Sequence, residues 1–323
     1  IEEPENSLSP HYLGRISNVL KKLLGNDTQA LIATHAPSIL RRVEPERIRY
    51  LRLNSKSRST DIRTVTLPEK ADEAHKFVRE AVQAFPEIYF ARLVVLGEGD
   101  SEEIVLPKLF DALELPVDES AICITPLGGR HVNHFWRLLS ALDIPYVTLL
   151  DLDVARYQGG WGRIKNANDN LIKFEPTKVL PASWSLPKWN DDNSPVLTNH
   201  FYEEGKASIF EALEERNIYF SSPLDLDFAM LEAYPEAYKV TLKSPTKTTI
   251  NIVLGDSHHC AEQYSKKQKE LFETYKSYFK NGSKPANHLE GIANISDENL
   301  VKNMPESYKR LGLKIKQILK EIS

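Results

Sequence analysis

Cysteine is nearly absent from this 323-residue chain. Cys123 and Cys260 are the only two, too few for a disulfide framework or a cysteine-rich zinc site, and such usage fits a reducing compartment. His258-His259-Cys260 invites a zinc assignment, but the sequence offers it no second ligand pair. Long apolar runs are missing as well. No stretch approaches the roughly 20 residues that span a bilayer, and no secretory leader opens the chain, so a cytoplasmic protein without a membrane partner is expected. Residue 1 is Ile rather than Met and reads as mid-strand, so a fragment or a processed product is expected. A G-x-x-x-x-G-K-[ST] phosphate loop occurs nowhere. A strong net charge is lacking too: 41 Lys and Arg against 45 Asp and Glu leave −4.

What is present is an ordinary globular composition, 41% hydrophobic and 27% charged, long enough for two domains. The charge is unevenly spread. From Lys239 onward 14 Lys and one Arg face nine acids, a balance of +6 that leaves −10 on the residues before it. An acidic part followed by a basic one suits a metal-dependent enzyme acting on a polyanion; lysines on solvated helix faces give the same tally.

Two stretches organise the chain. Leu93-Val-Val-Leu-Gly-Glu98-Gly-Asp-Ser-Glu102 and Val147-Thr-Leu-Leu-Asp151-Leu-Asp153 each read as a short apolar strand ending in carboxylates. In an open parallel sheet, ligands bind at the carboxyl ends of strands. Acids gathered at one such rim raise each other's pKa, and hard divalent cations such as magnesium or manganese relieve the repulsion. Between the two stretches, Ala121–Pro126 reads as a strand and His131–Leu142 as a helix, so strand alternates with helix in an α/β pattern with a parallel sheet. The spacing Asp100-Ser-Glu-Glu103 predicts a capping box with Asp100 as cap and Glu103 as its partner. Glu102, four residues beyond Glu98, can then face the same site.

Before this core, Ile1-Glu2-Glu3-Pro4 has the form of a strand ending in two acids, and an amphipathic helix follows to Gly25-Asn26. Ala30–Pro37 reads as a buried strand presenting His35. Residues 46–67 read as a hairpin around a polar turn, Asn54–Thr60, and Glu69–Phe85 as a helix ending at Pro86. After the core, residues 155–216 look irregular, with Arg156, Arg163 and Lys165 available to touch phosphates or to stand as plain surface charges. Cys260–Phe279 predicts one Lys-rich helix, its aromatic stripe more often core than DNA contact. Tyr308–Ile322 predicts a terminal helix used for packing or for an oligomer contact.

Glu2 and Glu3 followed by His35 resemble the second half of an ABC-type ATPase head, with its acid pair and switch histidine. Without the phosphate loop, this chain alone is not expected to hydrolyse ATP. An isolated Glu98 after a strand, then β-α-β-α-β, then Asp151-x-Asp153, resembles the Toprim arrangement. In this order the two halves resemble the C-terminal region of an OLD-family (overcoming lysogenization defect) endonuclease, a group that includes the Gabija nuclease subunit. The resemblance is strong over residues 1–40 and 88–155 and weaker beyond. It implies an ATPase remnant over 1–86 and a Toprim nuclease over 87–323, with an inserted region at about 156–281. It also implies two Mg²⁺ or Mn²⁺ ions held by Glu98, Glu102, Asp151, Asp153 and a later acid. For that acid Asp227 is favoured and Asp225 second. Lys284 would neutralise charge on the scissile phosphate, with Glu98 and Asp151 at the centre of catalysis. DNA as substrate, ATP only with a further ATPase half, self-association and a helicase partner complete the expectation, in anti-phage defence or DNA processing.

Two rival functions stay open at this level. A haloacid-dehalogenase-type phosphatase also places Asp-x-Asp after a strand and uses the first Asp as nucleophile, but it wants Thr or Val where Ala155 stands and leaves Glu98 unexplained. A non-catalytic module that only senses nucleotide or dimerises is the other.

Overall fold

The computed structural model describes residues 1–6, 8–25, 27–54, 57–65, 76, 79, 83–128, 132–174, 185–198 and 208–322. The chain divides into two compact units, one holding Ile1–Val94, Arg130–Pro145 and Ile322–Ser323, the other Val95–Gly129 and Tyr146–Glu321. The expected boundary at residue 86 falls inside the first unit. Most of the helix expected over Glu69–Phe85 lies outside the described residues.

In the first unit, α1 (Pro10–Leu23) opens on a proline, tolerated where no intrahelical N–H is needed, and closes with Lys21 and Lys22 at the negative end of its dipole. The expected hairpin forms from β1 (Arg49–Leu53) and β2 (Thr60–Thr64), antiparallel, with Arg49 opposite Thr64 and Leu53 opposite Thr60. A helix over Val132–Ala141 buries Phe135, Trp136, Leu138 and Leu139. The segment Ala30–Pro37 is not the buried strand its composition predicts. It makes one isolated parallel bridge, Glu2 with Ala33, and Leu31 is 81% exposed. An apolar run becomes a strand only where another segment runs beside it for several residues, and among the described residues Ile1–Glu3 alone lies beside it.

A four-stranded parallel sheet is built from β3 (Leu93–Gly97), β4 (Ile122–Pro126), β5 (Tyr146–Asp151) and β6 (Ile218–Ser221), in the order β4-β3-β5-β6. Leu93 to Leu96 are wholly buried, as strands covered on both faces require. In the β5–β6 pair, Thr148 lies opposite Ile218 and Asp151 opposite Ser221. This order sets the ends of β3 and β5 side by side, with the turn after β6 next to them. Helix α2 (Asp100–Ala112) follows β3 directly.

Two further expectations fail in the second unit. The stretch expected to be irregular contains α3 (Trp161–Phe174), which buries Trp161, Ile164, Ala167 and Leu171; their helical spacing was masked by the glycines before them. The single helix expected over Cys260–Phe279 is broken into Lys266–Glu270, Phe272–Tyr275 and a wide final turn, Lys276–Lys280. Its aromatic stripe is core: Tyr264, Phe272, Tyr275 and Phe279 are all buried, with Phe228 edge-on to Tyr264 and Phe272. Three later helices matter below: α4 (Leu226–Ala233), α5 (Lys284–Ala293) and α6 (Glu306–Glu321). Helix α6 packs through Tyr308, Leu311 and Ile315, and the Tyr308 hydroxyl donates to Ser221 Oγ at 2.9 Å.

Candidate metal centre

The cavity at the strand ends has a volume of about 370 Å³ and is lined by Glu98, Glu102, Asp151, Asp225, Asp227 and Lys284, among others. Each comes from a different local device. Glu98 follows β3, and a backbone hydrogen bond from Asp151 ties it to the end of β5. Glu102 is buried in the first turn of α2. There the Gly99 N–H donates to its Oε2 at 3.0 Å. The cap of α2 is therefore Gly99, whose N–H is held by Glu102 with no side chain to answer it, where the spacing predicted Asp100 and Glu103; a cap is chosen by where the strand ends. A Cβ on Gly97 would stand 2.6 Å from Glu102 Cγ, so glycine is needed for that close approach.

The acids fall into two groups. Asp153, Asp225 and Asp227 are already matched by cations. Arg156 Nη1 donates to Asp153 Oδ1 at 2.5 Å and to Asp225 Oδ2 at 3.3 Å. Arg163 Nε donates to Asp153 Oδ2 at 3.0 Å, and its Nη2 reaches the same oxygen. Asp225 caps α4 by accepting from Phe228 N at 3.0 Å and also accepts from the Tyr275 hydroxyl at 2.5 Å. Asp227 lies between Lys284 Nζ at 2.6 Å and His288 Nε2 at 2.8 Å. Burial would raise its carboxyl, but the His288 hydrogen bond and the Lys284 charge prevail and bring it down to about 2.

Glu98, Glu102 and Asp151 form the group in which burial prevails over any neighbouring cation. Burial, then neighbouring acids, holds the Asp151 carboxyl well above the usual range. Burial pushes Glu102 up to about 8, and it raises Glu98 against the opposing charge of Arg163, whose Nη2 lies 3.6 Å away. Asp151 Oδ1 is sealed from solvent without a hydrogen-bond partner. A sealed, unpartnered carboxylate oxygen among other acids, all hard donors, is what a divalent cation would satisfy. The residues present fit such an ion. Their ligating atoms are not gathered tightly, however: among the described residues, the trio found within 4.8 Å of one another is Asp192, His259 and Cys260.

Residues 89–153 match the family model described as the Toprim domain of overcoming-lysogenization-defect-like proteins. The chain contains an OLD-like Toprim domain. Its matched segment carries Glu98, Glu102, Asp151 and Asp153. An "OLD nuclease" of Thermus scotoductus is 29% identical over 163 residues, covering 48% of this chain and 30% of that protein. Two proteins named "Endonuclease GajA", from Bacillus cereus strains HuB5-5 and VD045, are 23% and 28% identical, covering about three quarters of this chain and 36% and 41% of their own lengths. The chain thus spans between about a third and two fifths of these curated relatives. The C-terminal region of the Burkholderia pseudomallei OLD protein superposes with a TM-score of 0.43 at 15% identity, over 71% of this chain and 99% of that one, a likeness too loose to carry an argument.

Beyond the matched Toprim segment, the sequence pointed to Asp225, Asp227 and Lys284, and all three line the same cavity. It did not point to His288, which is wholly buried, stacked on Phe279 with centroids 4.9 Å apart, and paired through Nδ1 with the Tyr238 hydroxyl at 2.8 Å. Its place one helical turn after Lys284 on α5 was the available signal. Arg156 and Arg163, available in sequence for phosphates or as surface charges, hold acids, while Lys165 pairs with Asp169 at 3.6 Å. In the first unit, His35 Nε2 lies 3.8 Å from Glu3 Oε1, and Glu2 makes the bridge to Ala33. The more tightly bound acid there is Glu5, which accepts from Thr34 Oγ1 at 2.9 Å and from the His35 backbone N–H at 2.7 Å.

Proposed function

We propose that this chain is the nuclease part of an OLD-type protein and cuts phosphodiester bonds in DNA with the help of divalent cations, Mg²⁺ or Mn²⁺. The observation that carries this reading is Asp151, its sealed oxygen unpartnered at a strand end beside Glu98 and Glu102. Glu98, Glu102 and Asp151 would hold the ions, with Asp153, Asp225 and Asp227 as the surrounding acids. Bound there, two such ions supply the charge that favours an attacking water and a leaving alkoxide.

The chain's own residues do the rest. Arg156 and Arg163 fix Asp153 and keep the rim from expelling its acids by mutual repulsion. Lys284, half-exposed at the mouth of the cavity, meets the phosphate and neutralises charge as it develops. His288 orients Asp227 from behind. In the whole protein, Glu2, Glu3 and His35 would belong to the nucleotide-facing edge of an ATPase head, with ATP bound only by sequence outside this chain. Self-association and a helicase partner remain part of this proposal.

Plasmid cleavage in Mg²⁺, Mn²⁺, Ca²⁺ and EDTA tests it. Nicked or linear product in Mg²⁺ or Mn²⁺ is expected, with none in EDTA, and it disappears in folded Glu98→Ala and Asp151→Ala variants. Cleavage that survives either substitution or EDTA, or hydrolysis of phosphate monoesters alone, ends the assignment.

A further inference from the structure

We propose that Asp192, His259 and Cys260 form a second metal site, separate from the carboxylate cavity, for a transition-metal dication of the zinc type. Each residue offers one ligand atom, and the three atoms lie within 4.8 Å of one another. Cys260 Sγ donates to Asp192 Oδ1 at 2.8 Å, and His259 Nε2 lies 3.5 Å from the same oxygen. The sequence shows only half of this site. His259 and Cys260 are adjacent, but Asp192 comes from a distant segment that only folding brings near.

The surroundings hold the three in place. The His259 backbone N–H donates to Ala155 O at 2.9 Å, and its ring meets Trp189 edge-on at 6.2 Å. Cys260 is buried and left-handed, φ 57°, a conformation that a non-glycine residue keeps only where its neighbours impose it. The segment carrying Asp192 is pinned on its other side, where Trp161 Nε1 donates to Ser194 O at 2.6 Å and Leu197 N to Gln263 Oε1 at 3.3 Å. Asp191 and Glu262 add negative charge around the thiol, which favours a cation.

The donor set decides the ion. Sulfur, imidazole nitrogen and a single carboxylate suit zinc, cobalt or iron, whereas magnesium prefers oxygen alone. Binding replaces the Cys260 thiol proton, released to solvent, with a sulfur–metal bond. His258 turns its Nδ1 to Gly255 O at 2.7 Å, so water completes the coordination on the side where Asp192 and His259 are open to solvent. Such an ion would clamp residues 189–198 to the 255–264 turn and, through Ala155, steady the loop that carries Asp153.

The test uses the full chain, stripped of metal and titrated with Co²⁺ in excess Mg²⁺. One equivalent should produce a thiolate-to-cobalt charge-transfer band. Cys260→Ser should abolish the band; Asp192→Ala and His259→Ala, both partly exposed and expected to fold, should weaken binding by at least about tenfold. Cys123→Ser and Asp151→Asn should leave it unchanged, which separates this site from the nuclease reading. Zn²⁺ should raise the melting temperature of the wild type but not of Cys260→Ser. A band that survives in Cys260→Ser, no loss of affinity in Asp192→Ala and His259→Ala, or no band from folded wild-type chain overturns the proposal.

Discussion

At the scale of single residues, the site is a contest between burial and charge, and Asp151 is its sharpest case. Its carboxylate is raised by burial and then by Glu98, Asp225, Glu102 and Asp153, with one oxygen unpartnered. Asp151→Asn removes that repulsion while keeping the shape. In chelator the variant should melt a few degrees above the wild type by calorimetry, while its DNA cleavage falls by at least about a hundredfold. A variant that melts lower would show that Asp151 is not under electrostatic load. His288 is the converse case, since it satisfies Asp227 and Tyr238 together. His288→Ala takes away the buried Tyr238 hydroxyl's partner and leaves Asp227 with Lys284 alone, and it should cost about 1–3 kcal/mol in urea unfolding with an unchanged slope. Asp227 and Lys284 were reached through the family resemblance, whereas His288 was missed because a buried histidine looks like any core residue until its partners are known. For Arg156 sequence reasoning offered phosphate contact or a plain surface charge, because an arginine's sequence context does not reveal that Asp153, Asp225 and the Tyr275 hydroxyl surround it.

Among the elements, the turn after β5 does the positioning. It places Asp153 and Ala155 at φ 52° and 67° and Gln158 at 57°, then returns to α3 through two glycines. A Cβ on Gly159 would stand 1.8 Å from the carbonyl oxygen of Asp153. Backbone cannot yield as a side-chain tip does, so Gly159→Ala should destabilise by about 3 kcal/mol or fail to fold. Gly25→Ala, with nothing within 4 Å, is the neutral control. Thermal melts of the two variants side by side check this, and equal melting temperatures would refute it. The strands of this region were legible because apolar β-branched runs ending in acids have few other readings: β3 and β5 lie within a residue of where composition puts them. The helix caps and α3 were not. A cap depends on which residue leaves the strand geometry, and the Gly-Gly-Trp-Gly run hid the helical spacing of Trp161, Ile164 and Leu171. Ala30–Pro37 failed for the opposite reason, having a strand's composition without a neighbour of sufficient length.

For the whole molecule, the raised carboxylates make stability depend on pH and on cations together. Glu102 is held at about 8 against an ordinary 4.5, and Glu98, Asp151 and Asp225 are raised in the same sense. A carboxyl whose folded pKa exceeds its unfolded one binds its proton more tightly when folded. It therefore costs nothing below about pH 4.5, and it subtracts stability progressively as pH rises toward 8, where folding must accept the charge. Asp227, lowered to about 2, works in the other direction, but its window closes below pH 4. The metal-free chain should thus lose melting temperature steadily between pH 5 and 8. A divalent ion at Glu98, Glu102 and Asp151 replaces the protons, so saturating Mg²⁺ should flatten the slope and raise the melting temperature most at the alkaline end. Melting curves across this range, in EDTA and in Mg²⁺, read both effects at once. Parallel curves in the two conditions would mean that the ion does not bind among these acids, and a melting temperature rising with pH in EDTA would mean that the acids are not the groups in conflict.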